Sequence, residues 1–411
     1  MHVEESFTNY DKIGDKATVP GDFPAKLDNH LNNIIVKEGY ETYNVEKKAI
    51  STNGGNYLGL LYEIDVTGET ATGPKETNIF IKNTVASEEN IKILSITKAY
   101  ETELFAYKEL DKVFQELQDE ADIPEEFRFK MVKSFDECNS EAIILHNIAR
   151  KGYKTTHRMD VVSLKYAEMA IRQLAKFHGL SFAIEKRRPH FFNENIKTME
   201  TSLNFGEHWQ GFMNAMRNLS INYLDDDMKE DMEKIFPRLL EKFPVYIQGA
   251  SDVNCLCHGD FRPNNLMIKE ENGEVIDLIP IDYQLMHYGC PAQDFIYFIF
   301  TSSDRQFRTK HFTHLKDLYY DTLGRFLKYF DIHVEMVYPR DEFEKTVTER
   351  LDYGLIVTLV FGPFFFVDED DVPDVSKECM SNISFKLDDK FRKRLRDTIE
   401  EFVDWGYLKD Y

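Results

Sequence analysis

The sequence of 411 residues has little positive charge. Its 50 lysines and arginines stand against 72 aspartates and glutamates, which gives a formal net charge of −22. Nucleic acids and anionic membrane surfaces repel such a chain unless basic residues concentrate on one face. The one basic cluster, Lys186 to Arg188, is short and typical of a solvated loop. We therefore expect no nucleic-acid partner and no membrane partner.

Cysteine and long apolar runs are also scarce. Five cysteines without a CxxC pair fit a reducing compartment better than a disulfide framework. Cys255 and Cys257 lack partners at zinc spacing, so we interpret them as small buried apolar residues. The most apolar run, Gly354 to Val367, is shorter than the roughly 20 residues that span a bilayer, and it contains Pro363. With no signal-peptide pattern at the N-terminus, these features predict a cytoplasmic protein in which this run is a buried helix. We also expect a monomer.

What the chain does contain is a change of pattern near residue 148. Residues 1–40 form a predicted extension of short helical patterns and polar breaks. Apolar alternation in Leu60 to Val66 and in Asn78 to Asn83 predicts strands, and residues 88–118 have helical spacing. A last strand is expected at Glu141 to Asn147. Residues 41–148 should therefore form a nucleotide-binding lobe, with a small antiparallel sheet and one long helix.

The remaining residues, 149–411, are mainly helical and include a helical insert at 182–250. The dipeptide Asn272-Gly273 between two apolar runs predicts a tight hairpin. The predicted fold class is therefore α+β with two lobes, of which the C-terminal lobe is larger and mainly helical.

The main chemical signal is the segment Cys257 to Lys269, CHGDFRPNNLMIK, followed by IPIDYQ at Ile279 to Gln284. Phosphoryl transfer needs oxygen ligands for magnesium and an aspartate beside the incoming hydroxyl. Asn265 and Asp282 can supply the ligands, and Asp260 can take the proton. Because the hairpin folds Asp282 back toward Asp260, the segment predicts a kinase that uses ATP and Mg²⁺.

A phosphoryl-transfer site also needs a basic residue on the phosphates that are not transferred. Lys82 lies in a predicted strand and could reach them. Glu103, on the helix that follows, is the favoured ion-pair partner, and Glu101 and Glu109 are alternatives.

Three further positions complete the candidate site. Gly54 and Gly55, beside Asn56 in a glycine-rich hairpin tip, would let backbone N–H groups approach phosphates. Arg262 could reach the transferred phosphoryl group or pair with an acidic neighbour. Asp294 is expected to be an N-terminal cap or a loop anchor.

With these motifs, the chain resembles the ecdysteroid kinase-like proteins of arthropods, relatives of choline kinases and aminoglycoside phosphotransferases with a protein-kinase-like fold. The resemblance covers about residues 40–370 and rests on NGGNY, FIK, YETELFAY, LAKFH, CHGDFRPNN and IDYQLMHYGCPAQDFIYFIFTS. It implies that Lys82 and Glu103 are the phosphate-binding ion pair. It also implies that Asp260 is the catalytic aspartate and that Asn265 and Asp282 are magnesium ligands.

Two positions depart from the family pattern. At the connection between the lobes, where the resemblance implies nucleotide contacts at His146 and Ile148, the chain has LHNI in place of a Leu-Glu-Asp-Leu type segment. The family often has a tryptophan where this chain has Arg262.

The spacing after Asp282 bears on the substrate. Protein kinases place a long activation segment ending in Ala-Pro-Glu at this point, whereas here only a short loop leads to the helix near Asp294. We therefore expect a small-molecule hydroxyl substrate, which by resemblance is an ecdysteroid, a related steroid or a hydroxylated foreign compound. A choline or ethanolamine kinase and a catalytically silent kinase-like binding protein are the alternatives.

Overall fold

The N-terminal lobe is built on one antiparallel sheet. The computed structural model describes residues 23–50, 59–84, 93–249, 251–368, 371–373 and 385–409. Four strands pair in chain order: β1 (Tyr40–Ile50), β2 (Leu60–Thr70), β3 (Gly73–Asn83) and β4 (Ala142–His146). Alternation along the strands buries Ile64, Ile79 and Ile81 completely. The predicted sheet is confirmed.

The predicted extension at residues 1–40 contributes a helix to this lobe. In α1 (Ala25–Lys37), four apolar side chains recur at helical spacing and are buried against the sheet: Leu27, Leu31, Ile34 and Ile35. Burial of each such side chain stabilises the fold by about 1.5–3 kcal/mol. α1 is therefore part of the apolar core of this lobe.

The predicted long helix is confirmed, although it starts later than expected. It runs as α2 (Ile96–Phe105), a π-helical turn at Ala106–Leu110 and α3 (Asp111–Glu120). Residues 93–95 are not helical, because Leu94 pairs with Leu203 in a β-bridge and the Ser95 N–H donates to the carbonyl of Ser202. The helical apolar pattern thus extends beyond the helix itself.

The C-terminal lobe is mainly helical. Its helices are α4 (Leu164–Arg187), α5 (Pro189–Phe191), α6 (Glu207–Asn222), α7 (Asp226–Leu240), α8 (Lys242–Gln248), α9 (Pro291–Ser302), α10 (Arg305–Leu327), α11 (Val334–Val337), α12 (Arg340–Glu349), α13 (Tyr353–Val360), α14 (Gly362–Phe365) and α15 (Asp389–Asp404). The apolar run at 354–367 is buried as expected but forms two helices, with Pro363 in the first turn of the second. Among the residues described, no helix is long and apolar enough to cross a membrane.

Two small sheets hold the loops that carry the predicted site. The strands are β5 (Tyr153–Lys154), β6 (Cys255–Cys257), β7 (Leu266–Glu271), β8 (Glu274–Pro280) and β9 (His287–Gly289), paired in the orders β5-β7-β8 and β6-β9. Asn272 and Gly273 have φ angles of 53° and 81°, so the predicted tight hairpin between β7 and β8 is confirmed. The loops at 258–265 and 281–286 run between these ladders.

Candidate active site

The loop after β6 is anchored by Asp294, in the first turn of α9. The Asp294 carboxylate accepts hydrogen bonds from the His258 N–H at 2.6 Å, the Gly259 N–H at 2.9 Å and His178 Nε2 at 3.1 Å. Burial opposes ionisation, but the hydrogen bond from His178 lowers the pKa of Asp294 below its ordinary value. Asp294 therefore anchors this loop, which is one of the two roles predicted for it.

Backbone and ring geometry fix the His-Gly-Asp segment. Gly259 has φ of 79°, and a Cβ there would lie 2.2 Å from the carbonyl oxygen of Leu285, so only glycine fits. His258 Nε2 donates to the carbonyl of Ile281 at 3.2 Å, while its Nδ1 accepts the N–H of Asp260 at 3.4 Å. Burial lowers the pKa of His258, which favours the neutral ring that this pattern requires.

Asp260 is held by three side-chain donors. The Tyr297 hydroxyl donates to Oδ1 at 2.6 Å, Arg262 Nε donates to the same oxygen at 3.0 Å, and Asn265 Nδ2 donates to Oδ2 at 2.7 Å. Hydrogen bonds to an ionised group are the stronger kind. They fix the orientation of the carboxylate before a substrate arrives.

Arg262 is buried rather than exposed. Its guanidinium lies over the ring of Phe365, with 5.0 Å between its Cζ atom and the ring centroid. Although burial opposes the charged form, Asp260 raises the pKa of Arg262. Its acidic partner is the predicted catalytic aspartate itself, and its two terminal nitrogens have no protein partner within the described ranges.

Asn265 and Asp282 offer the oxygen atoms that magnesium prefers. The Asn265 amide nitrogen donates to the carbonyl and to Oδ2 of Asp260, at 2.9 and 2.7 Å, which leaves its amide oxygen as the ligand atom. Asp282 adopts a left-handed backbone with φ of 66°, rare for a residue with a side chain. Its neighbour Ile281 donates its N–H to the Asn265 carbonyl at 2.9 Å. This donor set fits Mg²⁺.

Lys82 links the two lobes. Its Nζ atom donates to Glu103 Oε2 at 2.9 Å, to Asp282 Oδ1 at 2.9 Å and to Gln284 Oε1 at 3.0 Å. The side chains of Lys82 and Glu103 are only 5% and 3% exposed. Of the three glutamates weighed for this pairing, Glu103 is the one in place, because Glu101 and Glu109 are exposed.

The charges of Lys82, Glu103 and Asp282 do not balance, since two carboxylates share one ammonium. Burial opposes the charge on Lys82, but Asp282 and Glu103 raise its pKa above the ordinary value. Burial and the charge of Asp282 raise the pKa of Glu103 to about 7. A divalent cation beside Asp282 would offset the excess negative charge.

A cavity of about 660 Å³ lies between the lobes, and Lys82, Asn265 and Asp282 are among the residues that line it. His146 and Ile148, predicted to contact nucleotide, both line it. The predicted Gly54, Gly55 and Asn56 lie outside the described residues.

The altered segment between the lobes makes its own local contacts. The Asn147 side chain accepts the N–H of Ala149 at 3.0 Å and donates to Glu63 at 3.2 Å. The ring of His146 stacks on Phe135 at a centroid distance of 4.2 Å. LHNI is therefore the end of β4 and the start of a short 3-10 helix at Ile148–Lys151, and all four of its residues line the cavity between the lobes.

A second cavity, of about 140 Å³, lies on the other side of Asp282 and is lined by Asp260 and Arg262. We call it the acceptor cavity. Its wall is largely aromatic, with Trp209, Phe212, Phe243, Tyr297, Tyr353, Phe361, Phe364 and Phe365. The first three come from the predicted helical insert. Asp282 lines both cavities, so a phosphate group bound at Asp282 would lie between them.

Two residues of the site were not predicted from the sequence. Gln284 belongs to IDYQ and holds Lys82. Tyr297 holds Asp260 and follows Asp294 by three residues on α9, so helical spacing from the anchoring aspartate was the signal available for it.

Cys255 and Cys257 lie near His178, with possible ligand atoms of the three residues within 4.8 Å of one another. Both ring nitrogens of His178 are already used, by Tyr319 at 2.7 Å and by Asp294 at 3.1 Å. Burial raises the pKa of both thiols. The two cysteines are buried and free, as the apolar interpretation predicts.

The chain matches one known family in sequence. Residues 53–332, more than half of the chain, match the family model described as the ecdysteroid kinase-like family. No curated protein matches the sequence.

Three solved structures show a distant similarity. An aminoglycoside phosphotransferase from Streptomyces rimosus, in complex with ADP and streptomycin, has 12% identity and a TM-score of 0.37, over 74% of this chain and 97% of that chain. Glucosamine kinase, in complex with glucosamine, ADP and inorganic phosphate, has 11% identity and a TM-score of 0.36, over 89% and 84%. A microcompartment-associated aminopropanol kinase has 11% identity and a TM-score of 0.31, over 82% and 99%.

Proposed function

This chain belongs to the ecdysteroid kinase-like family and is a small-molecule kinase, and we propose that it transfers the γ-phosphoryl group of ATP to a hydroxyl of an ecdysteroid, a related steroid or a hydroxylated foreign compound. One observation carries the proposal. Asp260 lines an aromatic cavity, and Asp282 joins that cavity to a larger one that ends at Lys82.

The larger cavity is assigned to the nucleotide. Lys82, oriented by Glu103 and Gln284, binds the phosphates that remain on ADP. His146 and Ile148 line the same cavity, and we assign them to the base of the nucleotide. Asn265 and Asp282 would hold Mg²⁺, which when bound neutralises charge on the phosphate oxygens.

Asp260 acts on the acceptor. It takes the proton of the acceptor hydroxyl as that oxygen bonds to the γ-phosphorus, and the bond from the γ-phosphorus to the bridging oxygen breaks to leave ADP. Tyr297 and Asn265 keep the Asp260 carboxylate in position. Arg262, which lines the acceptor cavity, offsets charge on the transferred group.

The lining of the acceptor cavity favours a steroid over choline. Its acids are Asp260 and Asp282, which the reaction already uses, and Arg262 places a positive charge in the same wall. A cationic acceptor would find no further carboxylate among the lining residues that the structure describes, whereas an apolar skeleton gains from burial against the aromatic side chains. The volume of about 140 Å³ is below the roughly 300 Å³ of typical ligand pockets. Binding of a steroid therefore requires the aromatic walls to move apart.

The test is ADP formation in the presence of Mg²⁺ with ecdysone or choline as acceptor. We expect turnover with ecdysone, and we expect Asp260→Asn to lower kcat by about 10²- to 10⁴-fold, the usual effect of a general base. Asp321→Asn is the control, because Asp321 is an exposed carboxylate on α10 that lines neither cavity. Turnover with choline alone would favour the choline kinase alternative, and no turnover with intact nucleotide binding would favour the silent binding protein.

A further inference from the structure

Residues 199–205 of the helical insert, which we call the junction segment, are bonded to both lobes. On the side of the C-terminal lobe, Tyr288 donates its N–H to the carbonyl of Met199 at 2.8 Å. On the side of the N-terminal lobe, Leu203 forms an antiparallel β-bridge with Leu94. The junction segment therefore joins the start of α2 to the strand that follows the loop of Asp282.

Ser202, inside the junction segment, makes one hydrogen bond in each direction. Its hydroxyl donates to the main-chain carbonyl of Gln284 at 3.1 Å, and its own carbonyl accepts the N–H of Ser95 at 2.9 Å. Ser202 is 1% exposed and Gln284 is 5% exposed. The bond between them lies away from water, where a hydrogen bond is stronger and its loss costs more.

The two partners of Ser202 belong to the two elements that orient Lys82. Gln284 accepts from Lys82 Nζ through its side chain at 3.0 Å. Ser95 is the N-cap residue of α2, and the same helix carries Glu103, which accepts from Lys82 at 2.9 Å. Ser202 is thus bonded to the backbone of the elements on both sides of the lysine.

We propose that Ser202 is a positioning residue for ATP. It fixes α2 relative to the loop at Gln284, and so keeps Lys82 in the arrangement that binds the phosphates. The inference rests on the proposed function and adds a residue of the helical insert to it. If the junction loosens, Glu103 and Gln284 can move apart, and the affinity for ATP falls with the fraction of protein that keeps Lys82 in place.

The acceptor acts on the same junction, because the junction segment also forms part of the wall of the acceptor cavity. Leu94 from the N-terminal lobe and Leu203 from the junction segment both line that cavity, together with Gln284. An acceptor that contacts both sides favours the arrangement in which they are joined. ATP and acceptor then favour one arrangement, so each raises the affinity for the other.

Calorimetric titration with ATP and Mg²⁺, in the absence of an acceptor, tests the role of Ser202. We expect Ser202→Ala to raise the Kd of ATP about five- to tenfold, which corresponds to about 1–1.4 kcal/mol for one lost buried hydrogen bond. Ser220→Ala is the matched control, because Ser220 is an equally buried serine of the insert whose hydroxyl donates to the carbonyl of Leu359 at 2.7 Å. It should lower the unfolding free energy similarly and leave the Kd unchanged.

Ser95→Pro removes the second hydrogen bond of Ser202. Ser95 has a φ of −69°, close to the angle that proline imposes, and Leu94 before it lies in a β-bridge, the extended conformation that proline favours in its predecessor. The variant lacks only the N–H that bonds to Ser202, and it should raise the Kd of ATP by a similar factor. Because both substitutions open the same junction, the double variant should be little worse than either single variant.

Ecdysone is the probe for the effect of the acceptor, and an ATP analogue with a β,γ-imido bridge prevents turnover. In Ser202→Ala, saturating ecdysone should return the Kd of this analogue to within about twofold of its native value. The native protein should show a smaller change, since its junction is already joined. If the native protein phosphorylates ecdysone but ecdysone leaves the Kd in Ser202→Ala unchanged, the effect of the acceptor on the junction is wrong.

The outcomes separate the role of Ser202 from the proposed function. Native binding of ATP with an equal Kd in Ser202→Ala would overturn the role of Ser202 alone. An equal rise of the Kd in Ser202→Ala and Ser220→Ala would also overturn it, because the loss would then follow general stability. A rise confined to Ser202→Ala and Ser95→Pro, without phosphorylation of ecdysone by the native protein, would support Ser202 and contradict the proposed acceptor. If Ser95→Pro fails to fold, the comparison of Ser202→Ala with Ser220→Ala decides.

Discussion

Replacing Lys82 by methionine should destabilise the protein in a way that depends on pH. Among the described residues, Lys82 is the one cation bonded to Glu103, and both side chains are almost fully buried. Removing one partner of a buried ion pair typically costs about 3–5 kcal/mol in unfolding free energy. We expect a loss of that order for Lys82→Met near pH 8.

The pH dependence follows from Glu103. Lys82 lowers the pKa of Glu103 against the larger effect of burial, so the pKa is about 7 with Lys82 present and higher without it. Above pH 7, folded Lys82→Met therefore keeps a proton on Glu103 that the unfolded chain has released. Its unfolding free energy falls by about 1.4 kcal/mol per pH unit relative to the native protein. Glu103→Gln in the same chain should abolish this slope and recover most of the lost stability.

Urea unfolding followed by circular dichroism between pH 6 and 9 measures the effect. Lys234→Met is the control, because Lys234 and its partner Glu230 are both exposed and should contribute nothing measurable. The double variant should regain stability without regaining ATP binding, since Lys82 is assigned to the phosphates. A deficit independent of pH, or one that Glu103→Gln fails to relieve, would refute the assigned coupling.

Two further predictions concern Asp282 and His258. Asp282→Asn should weaken ATP binding at limiting Mg²⁺ by about tenfold or more, because a carboxylate ligand is lost; calorimetric titration with and without Mg²⁺ tests this, and unchanged affinity at limiting Mg²⁺ would contradict the assignment. His258 is buried with a pKa below its ordinary 6.5, so native stability should fall as pH drops below 6.5, by up to about 1.4 kcal/mol per unit from this residue. His258→Gln should show a shallower fall in acid unfolding curves, and an identical slope would count against a neutral His258.

The residues that sequence reasoning located best are those joined by short connections. Asp260 and Asn265 share one loop, and a tight hairpin returns Asp282 to it, so their meeting follows from local rules. The pairing of Lys82 with Glu103 could likewise be predicted, from one strand and one face of the helix that follows it.

Other features depend on distant segments and had no local signal. The acceptor cavity draws Trp209, Phe243 and Tyr353 from three separate helices, and nothing in their spacing announces a shared wall. Arg262 carries an ordinary loop pattern, yet it is buried because Asp260 and Phe365 enclose it. The late start of α2 has the same origin, since a bridge to Leu203 overrides a helical pattern.

The most direct test of the central claim is transfer of the labelled γ-phosphoryl group of ATP to ecdysone in the presence of Mg²⁺. The native protein should form labelled ecdysone phosphate and equimolar ADP, and Asp260→Asn should form it about 10²- to 10⁴-fold more slowly under saturating substrates. Equal rates in the two proteins, or ADP release without label on any acceptor, would contradict the assignment of Asp260 as the base of a small-molecule kinase.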